Sequence, residues 1–325
     1  PISSFYRTDG RSPSNINFMQ KRMQISTPQL QKMPKRKRAL LLLNPHSRQG
    51  RNNRSQSIRY LQSLGLIVIE EEIENPHHLS QVIRQYRDRV DLAIVGGGDG
   101  TLNAAIEGLL DAQLPLGILP LGTANDLART LGIPTALASA CQTIATGQIR
   151  WIDLGWVNGQ YFFNVASLGL SVQIAHQLSK ESKRRWGVLA YAMTALRVIW
   201  QSRPFSARIS CNGETLKVRT SQIAIGNGRY FGGGMTIVQD ATIDDRRLDL
   251  CSLEVQHWWQ ILAIFPSLWR GGKLNPKWLR RIEGEEIEVY TRKPHAINTD
   301  GEITTYTPAK FKVIPRALAV FVPRV

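Results

Sequence analysis

From Ala39 onward, short apolar runs alternate with helical stretches, and no other feature restricts the possible folds as strongly. The runs Ala39–Leu43, Ile67–Glu71, Leu92–Val95 and Leu116–Leu119 have strand length. Helical patterns occupy 55–64, 79–86 and 102–110, and another begins near Asn125. Strands alternating with helices of this length predict a parallel sheet covered on both faces. Beyond Arg150 the pattern changes: Asn158-Gly159, Asn212-Gly213 and Asp300-Gly301 each sit between alternating apolar runs. Such dipeptides are strong hairpin signals, so the second half is expected to be mostly antiparallel β. A length of 325 residues suits two cores. The expected division is a basic, disordered arm over 1–37, an α/β domain over 38–150 and a β domain over 151–325.

Three loops of the first half fall where parallel strands end, the edge at which open α/β sheets bind ligands. Gly97-Gly98-Asp99-Gly100-Thr101 follows a buried strand and opens a helix. The free N–H groups and dipole of a helix start favour phosphate, and consecutive glycines let the backbone approach it. Asp99 inside this loop would repel a phosphate unless a metal intervenes or the carboxylate handles a proton. The second loop, Pro120 to Arg129, offers Thr123, Asn125 and Asp126, which could equally cap a helix. Asn44-Pro45-His46-Ser47 forms the third.

Composition narrows the partners without naming one. The formal charge of +16 calls for an anionic partner: phosphate, acidic lipid or nucleic acid. Residues 1–38 hold nine Lys/Arg against one Asp, so +8 of that charge lies in the arm. No DNA- or RNA-binding motif accompanies it, and no specific nucleic-acid partner is expected. Three scattered cysteines without CxxC spacing argue for a reducing compartment and against a zinc site. The best apolar run, Trp258 to Trp269, is 12 residues long and contains Gln260 and Pro266, too short and too broken to span a bilayer. The expected location is cytoplasmic, with peripheral membrane contact. All eight tryptophans lie beyond residue 150. Six of them, Trp186, Trp200, Trp258, Trp259, Trp269 and Trp278, fall in two stretches shared with Lys183, Arg184, Arg185, Arg270, Lys273 and Lys277. Trp beside Lys/Arg suits an anionic bilayer surface.

Taken together, Gly97 to Thr101, Pro120 to Arg129 and Asn44-Pro45-x-Ser47 resemble the diacylglycerol kinase catalytic-domain family, which includes YegS-type bacterial lipid kinases and sphingosine kinases. The resemblance extends through 164–169, 226–235, 241–250 and Asp300-Gly301-Glu302, covering 39–325. It implies an N-terminal α/β nucleotide domain like that of NAD kinases and phosphofructokinases, a C-terminal antiparallel β-sandwich, and catalysis between them. ATP and Mg²⁺ are the implied cofactors and a membrane lipid the acceptor. By the same resemblance Gly97, Gly98, Asp99, Gly100, Thr101, Leu102, Asn103 and Thr123 would contact ATP. Asp245, helped by backbone carbonyls of Thr242 and Arg247, would bind Mg²⁺, and Glu302 would take the proton of the lipid hydroxyl. Asp99 is the rival for that proton. The sequence departs from the family pattern at Arg48, Ala104 and Arg246. Arginine at 246 is strained if its turn needs positive φ. The competing readings are an NAD kinase-like enzyme and a catalytically inactive nucleotide- or lipid-binding relative. The acceptor could be diacylglycerol, phosphatidylglycerol or a sphingoid-like lipid, and a homodimer is left open.

Overall fold

In the computed structural model the described residues are 37–47, 50–73, 75–177, 197, 199–200, 203–228, 230–231, 235–236, 242–255, 257, 259–260 and 278–324. Expectations for residues 1–36, for Arg48 and for most of the Trp-rich stretches lie outside them. No helix among the described residues is long and apolar enough to cross a membrane.

The first half forms the predicted alternation: β1 (Arg38–Leu43), α1 (Gly50–Ser63), β2 (Ile67–Glu72), α2 (Leu79–Gln85), β3 (Leu92–Gly97), α3 (Asp99–Ala112), β4 (Leu116–Pro120), α4 (Asp126–Thr130) and α5 (Leu137–Thr146). Strands pair in parallel in the order β2-β1-β3-β4. β3 and β4 are buried along their whole length, as continuous apolar runs in a doubly covered sheet should be.

The second half is a sandwich. One sheet, β14-β13-β10-β7-β16-β17, is entirely antiparallel. Its strands are β7 (Val165–Gly169), β10 (Gln222–Gly226), β13 (Leu248–Leu253), β14 (Leu279–Gly284), β16 (Ala296–Thr299) and β17 (Glu302–Tyr306). The opposite layer contains β5 (Gln148–Val157), β6 (Gln160–Phe162), β8 (Phe205–Cys211), β9 (Glu214–Thr220), β15 (Glu286–Thr291) and β18 (Ala309–Val322). Phe162, Leu168, Ile209, Ile225, Ile287 and Phe311 meet between the layers.

All three hairpin dipeptides turn as predicted. Both residues have positive φ at Asn158-Gly159 (46° and 98°), Asn212-Gly213 (51° and 80°) and Asp300-Gly301 (48° and 106°), which matches the right-handed twist of the flanking strands.

One connection was not foreseen. β18 pairs with β15 near its start, runs antiparallel to β5 along most of its length, and bridges to β4 in parallel at Val320–Leu116. The N-terminal sheet therefore continues into the sandwich as one ten-stranded sheet. The expected boundary at residue 150 falls inside β5. The Asp300 hairpin, between β16 and β17, belongs to the other, six-stranded sheet.

Candidate active site

The three predicted loops are bonded to one another at the carboxyl edge of β1, β3 and β4. Asn44 takes the Gly96 carbonyl through its backbone N–H at 2.9 Å, and its Nδ2 donates to Thr101 Oγ1 at 2.8 Å. Asn44 Oδ1 accepts from the His46 N–H, and Ser47 Oγ donates to the Asn44 carbonyl. The first loop is thus a side-chain-stabilised turn clamped onto the glycine loop.

The two glycine-containing turns abut. A methyl group on Gly122 would lie 2.4 Å from Gly98 Cα, and one on Gly97 would strike the Thr101 side chain at 2.6 Å. Gly98 is different: its φ is −94°, and an added methyl would meet only Gly122 Cα at 3.4 Å. α3 begins at Asp99; the Thr101 and Leu102 N–H groups donate to the Gly98 carbonyl at 3.0 and 3.1 Å, so it is the N–H groups of Asp99 and Gly100, at the very start of the helix, that can serve an anion. Thr101 and Leu102 are buried, and Thr123 is exposed on the neighbouring loop.

Asn125 occupies the N-cap position of α4 in left-handed conformation, without a side-chain capping bond. Its amide folds back instead, accepting from Gly122 N at 3.0 Å and donating to the Gly122 and Pro120 carbonyls. This buried side chain is committed to shaping the loop. The cap comes from across the cleft edge: Asp99 Oδ1 accepts from Leu127 N at 3.1 Å. Asp126 is buried in the same turn.

Two carboxylates to which the sequence reading gave no role fix surrounding loops: Asp300 ties the two halves together, and Asp153 acts within the second. Asp300, read there as a turn residue and as part of the Asp300-Gly301-Glu302 resemblance, accepts from the backbone N–H groups of Phe163, Asn164 and Val165 at 2.6, 3.0 and 3.1 Å. It also accepts from Asn103 Nδ2 at 3.0 Å. Burial pushes the Asp300 carboxyl up to about 6, while these four donors pull it the other way. Two residues further on, Glu302 is exposed, and a methyl on Gly100 would lie 3.3 Å from its Oε1. The carboxylate expected to take the proton therefore stands against the first turn of α3.

Asp153 is the second. It is almost completely buried, and its two oxygens accept from Arg246 N at 2.7 Å and Arg316 N at 2.6 Å. Both arginines have positive φ, 62° and 47°. The suspected left-handed arginine is real, and a buried carboxylate holds it. Burial raises the Asp153 carboxyl, the two backbone bonds lower it, and nearby Asp244 and Asp245 raise it further.

At Asp245 the donor set does not fit a resident cation. Its oxygens accept from Thr242 N and Arg247 N, each at 3.3 Å, and Arg247 Nε lies 3.2 Å from Oδ2. Where the resemblance implied Mg²⁺ with Thr242 and Arg247 carbonyls, the side chains form an ion pair. Among the described residues no three His, Cys, Asp or Glu converge on a metal position.

Residues 38–157 match the family model described as the diacylglycerol kinase catalytic domain. Residues 164–322 match that of the YegS C-terminal NAD kinase beta sandwich-like domain. A diacylglycerol kinase of Bacillus subtilis (strain 168) is 30% identical over 237 residues, 72% of this chain and 78% of that protein. An uncharacterized Synechocystis protein (strain PCC 6803) is 28% identical over 312 residues, 89% of this chain and 71% of that one. A solved structure of a diacylglycerol kinase from Bacillus anthracis (strain Sterne) superposes with a TM-score of 0.69 at 22% identity, covering 88% and 97% of the two chains, and supports the fold.

Proposed function

Because the chain belongs to the diacylglycerol kinase catalytic-domain family of lipid kinases, we propose that it moves the γ-phosphoryl group of MgATP onto a lipid hydroxyl. The observation that carries this reading is the position of Glu302, a free carboxylate against Gly100 at the start of the helix that follows the glycine loop.

The polyphosphate lies along Gly97 to Thr101, where backbone N–H groups and the helix dipole meet its charge. In MgATP the metal would neutralise phosphate oxygens, and Asp99, whose Oδ1 caps α4, would be the carboxylate of this loop available to it. The acceptor oxygen attacks the γ-phosphorus, the bond from that phosphorus to the bridging oxygen of ADP breaks, and the hydroxyl proton passes to Glu302. Little covalent chemistry is asked of the protein beyond alignment and one proton acceptor.

Phosphorylation from labelled ATP of diacylglycerol, phosphatidylglycerol and sphingoid bases in detergent micelles, with NAD as competitor, tests the proposal. Label in one of the lipids supports it, and label in NAD alone replaces it with a pyridine-nucleotide kinase.

A further inference from the structure

The outward face of β8, β9 and β15 carries an array of cations that the chemistry above does not use. Cα pairing sets Lys217 opposite Arg208, and Arg208 opposite Tyr290. One step along, Arg219 lies opposite Ser206, and Arg292 follows the end of β15. Neighbouring strands are about 4.8 Å apart, so Arg208, Lys217, Arg219 and Arg292 share a face roughly 10 Å wide. Arg203 leads into β8, and Lys293 lies in a loop that His295 packs onto Phe205, with ring centroids 4.2 Å apart. All six cations are exposed.

Like charges directly opposite one another destabilise a sheet, and here nothing offsets them. Among the described residues none of the six has a carboxylate partner. The closest acids along the face, Glu286 and Glu288, are already paired with Lys310 and Lys312. Arg208 instead stacks on the exposed ring of Tyr290, 4.8 Å from its centroid. Helical residues just upstream add Arg197, exposed, and Trp200, at 67% the most exposed large hydrophobic residue of the described chain. Cations interleaved with half-wet aromatic rings match a bilayer interface, where rings sit at headgroup level and each cation meets an anionic headgroup.

We propose that this face of β8, β9 and β15, with Arg203 at its rim, docks on a bilayer of anionic phospholipid. The inference rests on the lipid-kinase reading for its choice of a membrane over other polyanions. β16 runs from this end of the sandwich, at His295, to the Asp300 turn that carries Glu302, so one strand links the membrane contact to the chemistry.

Co-sedimentation of the full chain with vesicles of phosphatidylcholine containing one third phosphatidylglycerol is the test. A Lys217→Gln/Arg219→Gln protein should partition roughly 25-fold less than the parent, at about fivefold per cation near the surface. Its lipid-kinase rate in neutral detergent micelles should be unchanged, and parent binding should fall with salt as headgroup attraction is screened. An Arg59→Gln/Arg87→Gln protein, with the same change of net charge on exposed arginines elsewhere, should bind like the parent. Equal loss in both double variants, no loss in the first, or displacement of the parent from vesicles by an RNA or DNA oligonucleotide overturns the proposal. If the parent phosphorylates no lipid in micelles, the kinase reading fails, and the vesicle comparison still decides this surface.

Discussion

Asn103 Nδ2 donates to Asp300 Oδ2 at 3.0 Å, and this bond joins the helix that follows the glycine loop to the hairpin that carries Glu302. Its two ends are 197 residues apart in the sequence. It is a side-chain contact between the nucleotide half and the catalytic hairpin, two residues from the expected proton acceptor. If Glu302 takes the proton as proposed, Asp300 is the residue that positions it.

Asp300→Asn should lower kcat at least tenfold while ATP affinity stays near that of the parent. The amide would present N–H to groups that are themselves donors and let the hairpin drift. The pH dependence gives a readout that a merely structural role would not move. With the carboxyl at about 6 in the folded chain, the parent should lose activity as pH falls through 6, and Asp300→Asn should lack that limb. Stability moves the opposite way for this group. Its folded value lies above its unfolded one, so between about pH 4 and 6 the native state binds more proton, and acidification favours folding. Rate profiles and thermal melts over about pH 4 to 8 separate the two effects.

The Asp153 carboxylate satisfies two backbone N–H groups at left-handed arginines. Asp153→Ala should cost about 3 kcal/mol, because two donors lose their acceptor inside the fold. Arg246→Gly should stabilise by about 1 kcal/mol, since glycine adopts positive φ without the clash of a Cβ. Chemical denaturation of the two variants checks both signs.

Neighbouring glycines should respond in opposite ways. The backbone at Gly98 admits a Cβ at ordinary φ, so Gly98→Val should fold yet exclude the phosphates, with ATP affinity lost by titration calorimetry. Gly122→Ala drives a methyl into the Gly98 backbone at 2.4 Å and should destabilise the domain whether or not nucleotide is present.

Much of this architecture can be read from local sequence. Apolar runs of strand length, glycine at strand ends and the three Asn-Gly or Asp-Gly turns are properties of adjacent residues, and each appears where expected. Asn125 shows the limit, because cap position and side-chain direction are separate facts: it stands at the helix start, yet its amide serves the preceding loop. Asp300 and Asp153 were missed for a related reason. Their partners are backbone N–H groups more than 90 residues away, and a backbone donor leaves no mark in the sequence. The one available signal was Asp in a left-handed turn, and local hairpin chemistry already accounted for it. β18 likewise joined the first sheet through register alone. Arg247 adds a side-chain case: its guanidinium lies against the Asp245 carboxylate, a pairing that the resemblance did not suggest.

The most direct test of the central claim is single-turnover kinetics of Glu302→Gln on the lipid acceptor found in the micelle assay. The substitution keeps the shape of the side chain and removes the proton acceptor. The single-turnover rate should fall roughly 10²-fold or more with ATP affinity nearly unchanged. Asp99→Asn, measured alongside, should weaken MgATP binding. Near-normal turnover by Glu302→Gln, together with loss of turnover at unaltered ATP affinity in Asp99→Asn, would contradict the account and make Asp99 the base.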